Sequence, residues 1–133
     1  MAYLLIIDDD EDFAEASAIV LRNDSHEVKI ELDIKSGEKS LQERYPDLLI
    51  LDVMFPESSS AGFDLARKIR LSEEKLGDIP ILMLTAVNAE FPLGFGSQDI
   101  DNEWLPVEDF LEKPVDFELL KKKVSEMLSR TDT

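Results

Sequence analysis

Leu48-Leu49-Ile50-Leu51-Asp52-Val53-Met54-Phe55-Pro56 is the stretch whose reading decides the fold. Its apolar run, bounded by Pro46-Asp47 on one side and Pro56 on the other, has the length of a strand and no polar alternation that would leave one face wet. A strand of this kind is buried on both faces, which in a soluble protein means a parallel sheet covered by helices. The run delivers a single carboxylate, Asp52, at its carboxyl end, and open parallel sheets bind ligands beyond that end of their strands. Asp52 is therefore the first candidate reactive group. Its meaning depends on what else reaches the same edge.

The 133 residues, 44% hydrophobic and 33% charged, suit one globular domain over residues 1–133, with a core from about 3 to 128 and a short C-terminal tail. A formal net charge of −16 opposes both a sequence-independent grip on nucleic-acid phosphates and electrostatic docking on an anionic membrane. The absence of cysteine excludes disulfides, thiolate metal sites and thiol nucleophiles. The single histidine, His26, lies among turn residues and supports neither a His-based metal site nor Ser-His-Asp catalysis, so no role is expected for it. The apolar start from Tyr3 to Ile7 is too short for a signal-peptide core or a membrane span. These features predict a cytoplasmic protein with neither nucleic acid nor membrane as a direct partner.

Outward from Asp52, the pattern repeats. Leu4 to Ile7 is a second apolar run, and it ends in Asp8-Asp9-Asp10-Glu11-Asp12 before Phe13, Ala16, Val20 and Leu21 recur at helical spacing. Acidic residues suit a helix N-terminus, where they cap free N–H groups and face the positive end of the dipole, but capping accounts for one or two of them, not five. After Asn23-Asp24-Ser25, the alternation of Val28, Ile30, Leu32 and Ile34 with Lys29, Glu31 and Asp33 predicts a strand exposed on one face, hence an edge. A weak helix over about Ser36 to Tyr45 precedes the central run. Beyond the loop from Val53 to Ala61, the helix marked by Phe63, Ala66 and Ile69 should close at Gly77-Asp78. A strand from Ile79 to Leu84 then runs into Thr85-Ala86. After the segment from Val87 to Glu108, Phe110-Leu111 forms a short strand, Lys113-Pro114 follows, and Phe117, Leu120, Val124, Met127 and Leu128 mark the last helix. Strands alternating with helices in this order predict an α/β fold: a doubly wound, flavodoxin-like, five-stranded parallel sheet of order 2-1-3-4-5 with helices on both faces.

In that order Asp8 and Asp9 stand beside Asp52, and Thr85 and Lys113 end the next two strands. Two carboxylates about 4 Å apart repel by roughly 4 kcal/mol at an effective dielectric near 20, so three of them call for a cation. All-oxygen ligation with few protein ligands favours Mg²⁺, which commonly bridges carboxylates to a phosphoryl group. The ammonium of Lys113 and the hydroxyl of Thr85 are then available to neutralise and orient that group, with Asp52 as nucleophile.

Ile6-Ile7-Asp8-Asp9, Leu49-Ile50-Leu51-Asp52, Leu84-Thr85-Ala86 and Phe110-Leu111-Glu112-Lys113-Pro114, in this order and spacing, resemble the receiver domain of two-component response regulators from about Tyr3 to Leu128. The resemblance implies that Asp52 is the phosphoacceptor, charged from a phosphohistidine on a sensor kinase or phosphotransfer protein. It implies that Asp8 and Asp9 hold Mg²⁺ together with Asp52 and the backbone carbonyl of Met54. Thr85, Ala86 and Lys113 become the phosphoryl-binding set, Phe110 the aromatic switch position, and the Lys113-Pro114 bond is expected to be cis. The implied protein is a stand-alone signalling switch rather than a turnover enzyme, acting on a protein target as a monomer or a phosphorylation-dependent dimer.

Two departures stand out. The loop from Pro56 to Gly62 is about two residues longer than the family's usual Pro-to-Gly turn, an insertion of the kind that loop tips tolerate. Pro92, Gly94, Gly96 and Pro106 break any continuous helix where the family places its fourth. Two other readings use the same residues. A haloacid-dehalogenase-like phosphatase would employ Asp8 and Asp10 as its Asp-x-Asp pair, although Asp12 stands where that family wants Thr or Val and Asp52-x-Met54 lacks a second Asp. A degenerate receiver would bind a partner without being phosphorylated, against which the intact Asp and Lys set argues.

Overall fold

The computed structural model describes residues 2–52, 61–72, 79–86, 109–113 and 115–131. Two apolar runs form its centre: β1 (Tyr3–Ile7) and β3 (Leu48–Asp52), buried at every position. β4 (Ile81–Ala86) follows on the far side of β3, with β2 (Glu27–Glu31) and β5 (Asp109–Lys113) outermost. All neighbours are parallel and the order is β2-β1-β3-β4-β5, as the sequence predicts.

Side chains alternate across this sheet with the period of two that a strand imposes. Leu5, Ile7, Leu49, Leu51, Ile81 and Met83 pack on one face with α2 (Ile34–Glu43) and α3 (Ala61–Arg70), through Leu41, Leu65, Ala66 and Ile69. Leu4, Ile6, Leu48, Ile50, Leu82 and Leu84 pack on the other with α1 (Glu11–Asn23) and α4 (Phe117–Thr131), through Ala14, Ala18, Leu21, Leu120, Val124 and Met127. The sheet is thus covered on both faces, which is why its central strands can be apolar throughout.

The register of β1 on β3 is locked at its start. The Tyr3 N–H donates to Oδ2 of Asp47 at 2.8 Å, while the Asp47 N–H donates to the Tyr3 carbonyl at 2.7 Å. Arg44 lies 3.9 Å above the Tyr3 ring and pairs with Glu27 at 2.6 Å. Burial pushes the Tyr3 hydroxyl above its ordinary pKa, and the nearby Lys29 and Arg44 oppose that shift. His26 has a structural use that the sequence did not suggest: its Nδ1 accepts the Ala2 N–H at 3.3 Å.

Several boundaries differ from expectation. β2 ends at Glu31 rather than continuing to Ile34, because Asp33 adopts an extended φ of −148° and its carboxylate accepts the Ser36 N–H at 2.7 Å. That is an N-cap, and it turns Ile34 into the first residue of α2, a local bond overriding a periodic pattern. The same bond holds the Asp33 carboxyl below its usual pKa. α3 ends at Arg70 instead of running to Gly77-Asp78, which lie outside the described residues; the Ser72 N–H closes it on the Ile69 carbonyl at 3.1 Å. β4 begins at Ile81 rather than Ile79, since Pro80 has no N–H to give the ladder and contributes only its carbonyl, to the Leu49 N–H at 2.9 Å. β5 is longer than Phe110-Leu111. The expectations for Val53–Pro56, the loop to Gly62, the segment 87–108 and the Lys113-Pro114 bond fall on residues that are wholly or partly outside those described.

β2 is the edge that its alternation predicts. Glu27 and Glu31 turn their backbone groups toward β1, so Val28 and Ile30 turn theirs outward, and Nη2 of Arg22 donates to the outward Val28 carbonyl at 2.7 Å. The turn before β2 closes α1 with a paired motif: the His26 N–H reaches the Leu21 carbonyl at 3.2 Å and the Ser25 N–H reaches Arg22 at 3.0 Å. This geometry places Ser25 at φ 72°, in the left-handed region normally given to glycine. Ser25 is exposed and has no packing to lose. A non-glycine residue pays about 1–2 kcal/mol there, partly offset by the greater freedom of glycine in the unfolded chain. Ser25→Gly is therefore expected to raise the thermal midpoint by about 2–4 °C; an unchanged or lower midpoint in a melting curve contradicts this account.

Gly37 carries the opposite constraint. A Cβ there would lie 2.5 Å from Cδ1 and 2.9 Å from Cγ1 of the fully buried Ile7. Overpacking costs about 1–3 kcal/mol, more than the ~1 kcal/mol that alanine returns in helix propensity. Gly37→Ala is expected to destabilise by up to about 2 kcal/mol. Adding Ile7→Val should cost less in that background than alone, because it removes the nearest clashing atom; additive losses in a double-mutant denaturation cycle would refute the contact.

Candidate functional site

The five consecutive acids at the end of β1 divide by position. Asp10 is the N-cap of α1: its Oδ1 accepts the Phe13 N–H at 3.1 Å. Glu11 and Asp12 occupy the first turn, where they face the positive end of the helix dipole. Asp8 instead is fully buried, and its Oδ1 accepts the Asp10 N–H at 2.9 Å, so the cap and the buried acid share one turn. Asp9 is exposed.

β1 and β3 pair Ile7 with Leu51, which sets the residue after each, Asp8 and Asp52, side by side at the carboxyl edge. Asp52 is 4% exposed. One carboxylate oxygen from each of Asp8, Asp9 and Asp52 lies within 4.8 Å of the others. Two buried negative charges at such a separation repel by roughly 3–4 kcal/mol at an effective dielectric near 20. The donor set is all oxygen, anionic and open to solvent on the Asp9 side, which suits a hard divalent cation rather than a soft one.

The remaining predicted residues are placed by the backbone. Asp52 pairs with Leu84, so Thr85 is the next residue along β4; Thr85 pairs with Glu112 and Ala86 with Lys113 across β4 and β5. Phe110 lies earlier in β5, opposite Met83. The side chains of Thr85, Ala86, Phe110 and Lys113, and the whole of Met54, lie outside the described part of the structure. Asp10 is not among the three carboxylates whose oxygens converge, and its Oδ1 instead caps α1.

What sequence reasoning missed is the support behind Asp8. Gly37 of α2 touches the preceding Ile7, and the Asp8 N–H donates to the Glu31 carbonyl at 3.0 Å. A glycine inside a weak helix was a visible signal; its target was not.

Comparison with known proteins agrees with this geometry. The family model described as response regulator receiver domain matches residues 4–125. The chain is 34% identical over 132 residues to the DNA-binding dual master transcriptional regulator RpaA of Synechocystis sp., covering 99% of this chain and 51% of that protein. It is 32% identical over 130 residues to the transcriptional regulatory protein AfsQ1 of Streptomyces coelicolor, covering 98% and 52%. The chain spans about half the length of these curated relatives. Among solved structures, a putative response regulator from Chloroflexus aurantiacus superposes with a TM-score of 0.77 at 32% identity, over 96% of this chain and 98% of that one. Sheet order, acidic edge and family match converge, and the chain belongs to the response regulator receiver domain family.

Proposed function

We propose that residues 1–133 form a single phosphorylatable receiver in which Asp52 takes a phosphoryl group and the fold converts that event into altered partner binding. The observation that carries this reading is the convergence of Asp8, Asp9 and Asp52 within 4.8 Å at the carboxyl edge of a receiver sheet. An Asp52 carboxylate oxygen attacks the phosphorus of a phosphohistidine on a sensor kinase or phosphotransfer protein. The new O–P bond forms as the P–N bond breaks, and the imidazole leaves with the electron pair and takes up a proton. Mg²⁺, when bound by Asp8, Asp9, Asp52 and the Met54 carbonyl, offsets charge on the phosphoryl oxygens. Lys113 pairs with a phosphoryl oxygen, the Thr85 hydroxyl and the adjacent Ala86 close on the others, and Phe110 follows that movement. The chain thereby assists its own phosphorylation and dephosphorylation while remaining a switch.

The working partners are a histidine kinase or phosphotransfer protein upstream and a protein target downstream, in the cytoplasm. The charge of −16 speaks against direct nucleic-acid contact by these residues, and no helix among the described residues is long and apolar enough to cross a membrane.

Asp52→Asn is expected to take up no phosphate from acetyl phosphate with Mg²⁺, whereas the wild-type chain gains one phosphate by intact mass. Equal uptake by the variant sinks the assignment, and no uptake by either favours a non-phosphorylated binding module. Lys113→Ala should keep Mg²⁺ binding but lose the amide shifts that beryllofluoride induces, since it removes the cation facing the phosphoryl oxygens and none of the metal ligands. Undiminished beryllofluoride shifts would exclude that role.

A further inference from the structure

Two contacts from α2 converge on Asp8, and neither involves a residue of the acidic cluster. Gly37 lies against Ile7, leaving no room for a Cβ: Cδ1, Cγ1 and Cγ2 of Ile7 would stand at 2.5, 2.9 and 3.1 Å. Ile7 is fully buried and the last residue of β1, and its β-branched side chain is stiff at χ1, so pressure on Cγ1 and Cγ2 bears on the strand end that carries Asp8. Ser40, three residues farther along the same buried face of α2, is 2% exposed and donates its hydroxyl to the Glu31 carboxylate. Glu31 in turn supplies the carbonyl that accepts the Asp8 N–H at 3.0 Å. Asp8 is therefore held from both sides by one helix, through the side chain before it and through its own peptide N–H.

We infer that Gly37, Ser40 and Glu31 are positioning residues, and that α2 is a clamp setting the Asp8 carboxylate against those of Asp9 and Asp52. The inference rests on the metal-binding reading of those three carboxylates. Mg²⁺ demands near-ideal octahedral geometry at short bond lengths, so a donor displaced by a few tenths of an ångström weakens the site. α2 is also joined to α3 by the exposed pair of Glu38 and Lys68 at 2.9 Å, of a kind that contributes little in water. Coupling of this sort is reciprocal: if α2 sets the affinity for the cation, the cation must act back on α2.

The experiment is a Mg²⁺ titration of the full chain followed by amide NMR. In the wild type, the amides of Glu38, Ser40 and Leu41 are expected to shift with the same dissociation constant as those of Asp9 and Asp10. Ser40→Ala, which changes no charge, should weaken Mg²⁺ binding roughly tenfold, the low end of the loss seen when groups orienting a metal ligand are removed. Gly37→Ala should weaken it as well; if that variant does not fold, Ser40→Ala alone decides. Val124→Ala, a buried truncation in α4 on the opposite face, controls for lost stability and should leave the affinity unchanged. Wild-type Mg²⁺ affinity in the α2 variants, silent α2 amides, or an equal loss in Val124→Ala overturns the clamp and leaves the metal reading standing. Failure of the wild type to bind Mg²⁺ overturns both.

Discussion

Everything at the carboxyl edge depends on β1 and β3 lying side by side in one register. The reciprocal bonds between Tyr3 and Asp47 fix it at one end, and Ile7 opposite Leu51 states its result at the other. A slip of one residue would turn every side chain of β1 to the wrong face and carry Asp8 away from Asp52. The sheet cannot make that slip cheaply, because Leu4, Leu5, Ile6 and Ile7 and their partners Leu48, Leu49, Ile50 and Leu51 are buried to 1% exposure or less. Each such side chain gains about 1.5–3 kcal/mol from burial. Summed over the two strands, this far exceeds the roughly 3–4 kcal/mol by which Asp8 and Asp52 repel each other. The apolar interior thus forces together two charges that would otherwise separate, and the repulsion it sustains is what a cation can relieve.

Long-range order was legible where burial decides the residue types. Three apolar runs separated by helical periodicity leave few topologies, and the alternation of Val28 and Ile30 with charged neighbours marks β2 as an edge. Asp8, Asp9 and Asp52 were legible for the same reason, since a parallel sheet collects whatever its strands end on. The boundaries that went astray depend on single local bonds. Asp33 could continue an alternating strand or cap a helix, and only its bond to Ser36 decides. Pro80 shortens β4 through the N–H it lacks, and α3 stops before the glycine that was read as its terminator.

A second class of features was invisible because both halves of each contact look ordinary alone. Gly37 reads as a helix weakness until Ile7 is seen beneath it, and Ser40 reads as a polar helix residue until Glu31 is seen beside it. His26 looked idle because its partner, the Ala2 N–H, lies 24 positions earlier in the chain. Pairings of this kind are fixed by the packed fold and have no periodicity to announce them. The Gly37 and Ser40 pairings also connect the acidic edge to the helix beside it.

The outward carbonyl of Val28, filled by the guanidinium of Arg22, bears on how the molecule behaves in company. A parallel sheet is a template, and its outermost strand offers hydrogen-bonding groups to any extended chain that drifts alongside. Here the strand is only five residues long, carries Glu27, Lys29 and Glu31 among its side chains, and has one of its outward acceptors already engaged by the helix before it. A newcomer would have to displace that guanidinium to reach the Val28 carbonyl, and would desolvate the neighbouring charges as it paired. The margin at β2 is thus guarded by charge and by an occupied acceptor, features that oppose pairing with a further strand.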